Sequence, residues 1–146
     1  MLKGINTLLT PDLLKIMMEM GHDDALVLAD ANFTAMRIAA GKPVIRLPGS
    51  SMLQTVCAVT SLLPLATDVA HPAGFMAVSG EAPDYRSAMQ REVIEALTPQ
   101  LVADQSVEPI ERFAFYERAR SAYAIVLTGE MQPFGNFILR KGVIGE

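Results

Sequence analysis

Apolar residues recur at helical spacing through Leu13, Ile16, Met17 and Met20. The preceding Thr10-Pro11-Asp12 supplies a hydroxyl N-cap, a proline at the first helical position and an acid facing the positive helix end. A helix over residues 10–21 follows, with Gly21 as a left-handed C-cap, and His22 then lies just past a helix C-terminus. Ala25-Leu26-Val27-Leu28-Ala29 is an unbroken apolar run, the pattern of a strand buried on both faces, and Asp30 is its first polar follower. A second strand is expected at 44–47, then Pro48-Gly49 and the capping box Ser51-x-x-Gln54, which starts a helix over residues 52–63. Residues 75–78 read as a third strand, and Pro83-Asp84 opens a helix that ends at Thr98-Pro99. Residues 113–122 read as helix, and 123–127 and 137–139 as strands forming an antiparallel pair. Residues 31–43, small and polar, read as a loop able to cover a site.

Strands alternating with helices predict an α/β fold, a sheet covered by helices on both faces, with ligands bound at strand ends. At 146 residues the chain is expected to form a single domain spanning 1–146. With 51% hydrophobic residues, 19% charged and a mean hydropathy of +0.29, disorder is excluded. So small a chain cannot hide all its apolar surface, which predicts a homo-oligomer. The net charge of −4, with Lys and Arg scattered singly, offers phosphates no basic stripe, so nucleic acid is not an expected partner. No 18-residue apolar run predicts a membrane span, and Asn6, Pro11 and Asp12 interrupt any signal-peptide core, so the expected location is cytoplasmic. Cys57, the only cysteine, reads as a small buried hydrophobe, and no Cys/His spacing suits zinc.

Candidate chemistry is sparse. The chain has no G-x-G-x-x-G, P-loop, G-x-S-x-G elbow or H-E-x-x-H, which removes support for nucleotide-cofactor, serine-hydrolase and zinc-protease chemistry. The Gly49-Ser50-Ser51 helix start offers an anion its free amides, as any helix start does. A helix end and the adjacent Asp23 and Asp24 favour a protonated His22, suited to proton transfer near neutrality. On the residues alone, a surface histidine in a helix-to-strand turn explains it better. His71, before Pro72, reads as structural. Asp30 is equally a ligand contact or a turn residue. Arg112, Tyr116, Glu117 and Arg118 could simply solvate a helix face, and Asn136 after Gly135 could bond its own backbone.

Longer segments carry more information than these single residues. Met20-Gly21-His22-Asp23-Asp24, Ala29-Asp30-Ala31-Asn32-Phe33, Arg112-Phe113-Ala114-Phe115-Tyr116-Glu117-Arg118-Ala119, Ala124-Ile125-Val126-Leu127-Thr128-Gly129-Glu130 and Phe134-Gly135-Asn136 together resemble the RbsD/FucU family of sugar mutarotases, most closely its L-fucose branch. The resemblance covers both ends of the chain. It implies a cofactor-independent isomerase, without metal, that interconverts anomers of a monosaccharide, L-fucose first, in a ring-shaped pentamer or decamer. His22 is then the catalytic acid/base, and Asp30, Arg112, Phe134, Gly135 and Asn136 bind the sugar. Within the family the alternative is a pyranase acting on D-ribose; outside it, a non-catalytic monosaccharide-binding protein. The family usually carries tyrosine where this chain has Phe134, so one phenolic hydroxyl is missing. Eight residues separate His22 from Asp30. Extended at ~3.3 Å per residue, they would part the two by about 26 Å, wider than a sugar pocket. Either the chain turns sharply, or neighbouring subunits complete each site, which the apolar composition favours.

Overall fold

A computed structural model describes residues 2–145. The Thr10 side chain accepts the Leu13 N–H and Pro11 opens α1 (Pro11–Glu19), which buries Leu13, Ile16 and Met17. β1 (Ala25–Ala29), α2 (Ala35–Ala39), β2 (Val44–Leu47), α3 (Met52–Thr60), β3 (Ala73–Met76), α4 (Ala88–Leu97), β4 (Val107–Ile110), α5 (Arg112–Ser121), β5 (Ala124–Thr128) and β6 (Phe137–Arg140) follow.

The strands form one six-stranded sheet in the order β2-β5-β1-β6-β3-β4. β1, β5 and β2 pair in parallel, as do β3 and β4, while β6 runs antiparallel between β1 and β3. Alternation along β1 sends Leu26 and Leu28 to one face, with α1, α3 and α4, and Val27 and Ala29 to the other, with α2 and α5. Helices therefore cover both faces, as expected for an α/β fold. Phe75, Phe115 and Phe137 are fully buried, each such burial contributing about 1.5–3 kcal/mol.

Several local expectations are corrected. α1 stops at Glu19, and Met20 caps it in an extended conformation. Gly21 is not the left-handed residue; its N–H is taken by Asp24 Oδ2 at 2.7 Å, and positive φ falls on Asp23 at 70°. The supposed loop at 31–43 contains α2, only five residues long and so below the length at which periodicity is legible. β3 begins two residues before the expected strand because Ala73 and Gly74 pair with both neighbours. α4 starts after the N-cap Ser87, whose capping box with Gln90 closes in both directions and sets the N-terminus in place of Pro83-Asp84. β4 went unread because Pro109 argues against a strand; at the sheet edge proline is tolerated. The last two strands are not partners, since β1 lies between them. Cys57 is exposed rather than buried, on the outer side of α3.

Candidate functional site

Five of the six strands end at one edge of the sheet, and the loop of residues 129–136 returns there to start β6. Asp30 leaves β1 at this edge, only 5% exposed. Its Oδ1 accepts the Asn32 N–H at 3.0 Å, and its Oδ2 accepts from Asn136 Nδ2 at 2.9 Å. In return the Asp30 N–H donates to Asn136 Oδ1 at 2.9 Å. Burial pushes the Asp30 carboxyl above its ordinary value, outweighing the hydrogen bonds from Asn32, Asn136 and the Gly135 backbone; nearby Glu130 adds to the rise.

Gly135 is required by close approach. A Cβ there would lie 2.8 Å from Gln132 O and 3.0 Å from Met89 Cε. Beside it, half-buried Phe134 holds a left-handed φ of 61°, rare for a bulky residue and typical of sites where the surroundings hold the backbone. Arg112, exposed at the first position of α5, donates from Nε to the Tyr116 hydroxyl at 3.2 Å. Its guanidinium lies 5.6 Å from the Phe113 and Tyr116 ring centroids. Tyr116 packs 5.8 Å from Phe33, whose N–H donates to the Asp30 carbonyl at 3.1 Å. One edge of the sheet thus gathers Asp30, Phe134, Gly135 and Asn136, with Arg112 and an aromatic wall alongside.

His22 is elsewhere. It precedes β1, at the opposite end of a five-residue strand, a length of about 16 Å. Exposed, it places Nε2 3.2 Å from Asp68 Oδ2. The Asp68 carboxyl is held below its ordinary value by its own backbone N–H and then by His22. Next to it, Arg140 Nε donates to Asp23 Oδ1 at 2.7 Å. Two clefts open at this end. One of about 660 Å³ is lined by Asp23, Asp24, His71, Glu108, Arg118 and Arg140. The other, about 410 Å³ and mostly apolar, has His22 on its wall with Met17, Met18, Leu62 and Ile144. The turn does not fold His22 back onto Asp30, which leaves the two groups apart within one chain.

Sequence reasoning missed Asp68, which lies 46 residues from His22 and sits in no recognisable motif, and Gln90, whose Ser87-x-x-Gln90 capping box was a legible signal but whose bond to Phe134 spans 44 residues. The anion site considered at Gly49-Ser50-Ser51 is already served, because Glu130 Oε2 accepts the Met52 N–H at 3.3 Å. His71 bonds to Ser106, its Nδ1 3.1 Å from the Ser106 hydroxyl. Among the described residues no three His, Cys, Asp or Glu side chains converge as a metal-ligand set, and no helix is long and apolar enough to cross a membrane.

A buried carboxylate and amide stand beside aromatic faces at the carboxyl ends of a mostly parallel sheet, the place where proteins of the α/β class generally take small polar ligands. Within that class the chain belongs to the RbsD / FucU transport protein family, whose model matches residues 3–144. It is 42% identical to the L-fucose mutarotase of Glaesserella parasuis serovar 5 (strain SH0165), over 98% of this chain and 96% of that one. It is 43% identical to the fucose mutarotase of Homo sapiens, over 98% and 94%. Among solved structures, the fucose mutarotase of Streptococcus pneumoniae in complex with L-fucose superimposes with a TM-score of 0.88 at 35% identity, covering 99% of this chain and 100% of that one.

Proposed function

We propose that this chain is a cytoplasmic mutarotase that interconverts the α and β anomers of L-fucose. The observation that carries the reading is the buried Asp30–Asn136 pair, set in a chain similar over nearly its whole length to proteins named for that activity. Ring opening needs a proton delivered to the ring oxygen and one removed from the C1 hydroxyl. The C1–ring oxygen bond then breaks, C1 rotates, and the ring closes on the other face with both proton movements reversed. A single imidazole with positioned water suffices, since general acid–base catalysis contributes about 10²–10⁴-fold. His22 carries the proton. Asp30 and Arg112 hold sugar hydroxyls by charge-assisted hydrogen bonds, Gly135 and Asn136 orient them, and the Phe134 ring covers the apolar side of the sugar.

The two half-sets are completed between copies of the chain. Exposed apolar side chains flank both: Met18, Leu62, Val143 and Ile144 at the His22 end, Phe113 and Met131 at the Asp30 end. Patches of this kind at opposite ends support a head-to-tail contact, which closes into a ring when the rotation permits. A ring of five chains, or two such rings, is the assembly that the family resemblance implies.

NMR saturation transfer on sugars at anomeric equilibrium tests the proposal. Faster α/β exchange of L-fucose is the expected result. Faster pyranose–furanose exchange of D-ribose alone would move the chain to the pyranase activity, and binding without faster exchange would make it a sugar-binding protein.

A further inference from the structure

We infer that Gln90, on α4 and outside the sugar-contacting set, is the positioning residue that holds the Phe134–Asn136 segment in its binding shape; the inference rests on the mutarotase reading. Gln90 is completely buried. Its Oε1 accepts the Ser87 N–H at 3.0 Å, while Nε2 donates to the Met76 carbonyl at 2.9 Å and to the Phe134 carbonyl at 3.1 Å. Both amide protons are therefore used. The amide has one workable orientation, because the reverse would set its oxygen against two carbonyls and its nitrogen against an N–H.

Both carbonyls belong to the site's framework. Phe134 is the residue with φ of 61°, a conformation that persists where its surroundings hold it. Met76 donates its N–H to the Asn136 carbonyl at 2.9 Å, and its sulfur lies 3.7 Å from Asn136 Nδ2. One side-chain amide thus ties the end of β3 to both sides of Gly135, and Asn136 passes the constraint to Asp30. A buried acceptor left unpaired is costly, so without Gln90 the segment would relax and have to be reordered each time a sugar binds. Ordering charged to binding raises KM; proton transfer by His22, which Gln90 does not touch, leaves kcat in place.

Steady-state anomer exchange of L-fucose by NMR, on the natural chain and three variants, tests this role. Gln90→Met removes both donors at similar volume. Gln90→Glu keeps the acceptor for Ser87 but sets a carboxylate oxygen against two carbonyls, and serves alone if Gln90→Met does not fold. Ser87→Ala removes the hydroxyl that accepts the Gln90 N–H and weakens the α4 cap while leaving the Gln90 amide bonds in place. The Gln90 variants are expected to raise KM roughly 3- to 30-fold, the effect of one or two hydrogen bonds, with kcat within about two-fold, and Ser87→Ala to lower Tm without moving KM. An active natural chain whose Gln90 variants keep the natural KM, or lose kcat instead, would overturn the role, as would an equal KM rise in Ser87→Ala. A natural chain that accelerates no sugar would overturn the mutarotase reading itself and this role with it.

Discussion

His22 is exposed, so truncating it removes little packing. His22→Ala is expected to fold and assemble normally while catalysed exchange falls by about 10²–10⁴-fold; NMR exchange rates equal to those of the natural chain would take the proton-carrier role away from it. Asp30 differs because it is buried, and its titration bears on stability. Its folded value is raised above the ordinary 3.8, so the folded chain binds that proton more tightly than the unfolded one. Its contribution is fully present below 3.8 and is lost as pH rises through the folded value. The Tm advantage of the natural chain over Asp30→Asn is accordingly expected to be largest below pH 3.8 and to shrink as pH rises through the folded value. Melting curves across that range check the sign, and an advantage that grows with pH would contradict it.

At the scale of elements, the joint between β5, β2 and α3 depends on Gly129. A Cβ there would stand 2.2 Å from Pro48 O and 3.1 Å from Ser50 O, and the Gly129 N–H donates to Ser50 O at 2.8 Å. Backbone cannot yield as a side-chain tip can, so Gly129→Ala is expected to lose about 1–3 kcal/mol. That is a fall of roughly 2–4 °C in Tm for each kcal/mol, read from a thermal melt; an unchanged Tm would show that the joint opens freely. Elements governed by neighbours in sequence were legible in advance: the Thr10-Pro11 start of α1, the Ser51/Gln54 box of α3, and β1 from its apolar run. Those governed by distant partners were not. Pro109 hid β4 because only its place at the edge makes proline harmless, and no local pattern says that β6 lies between β1 and β3. The site divides the same way. Asp30, Gly135 and Asn136 lie in segments whose resemblance is carried by contiguous residues, whereas Asp68 and the bonds of Gln90 to Met76 and Phe134 become visible only once the chain is folded.

For the whole molecule, the proposed sharing of sites between chains would make catalysis a property of the contact between copies. His22→Ala and Asp30→Asn chains, each expected to be impaired alone, are expected to recover part of the exchange when refolded together, because some contacts then join an intact His22 to an intact Asp30 from different chains; a mixture no more active than its components would refute sites shared between subunits. A second consequence concerns how the chain is made. β6 is the last strand in the sequence and joins β1 to β3 at the middle of the sheet. Until residues 137–140 leave the ribosome, β1 and β3 have no common neighbour, and Asn136, which completes Asp30, has barely been added. Before β6 is added the strands can form only two unjoined groups, β2-β5-β1 and β3-β4, with their apolar faces still in need of cover. A chain cut before Phe137 is expected to leave β1 and β3 without their common neighbour, and so to give no partial enzyme but an unclosed sheet.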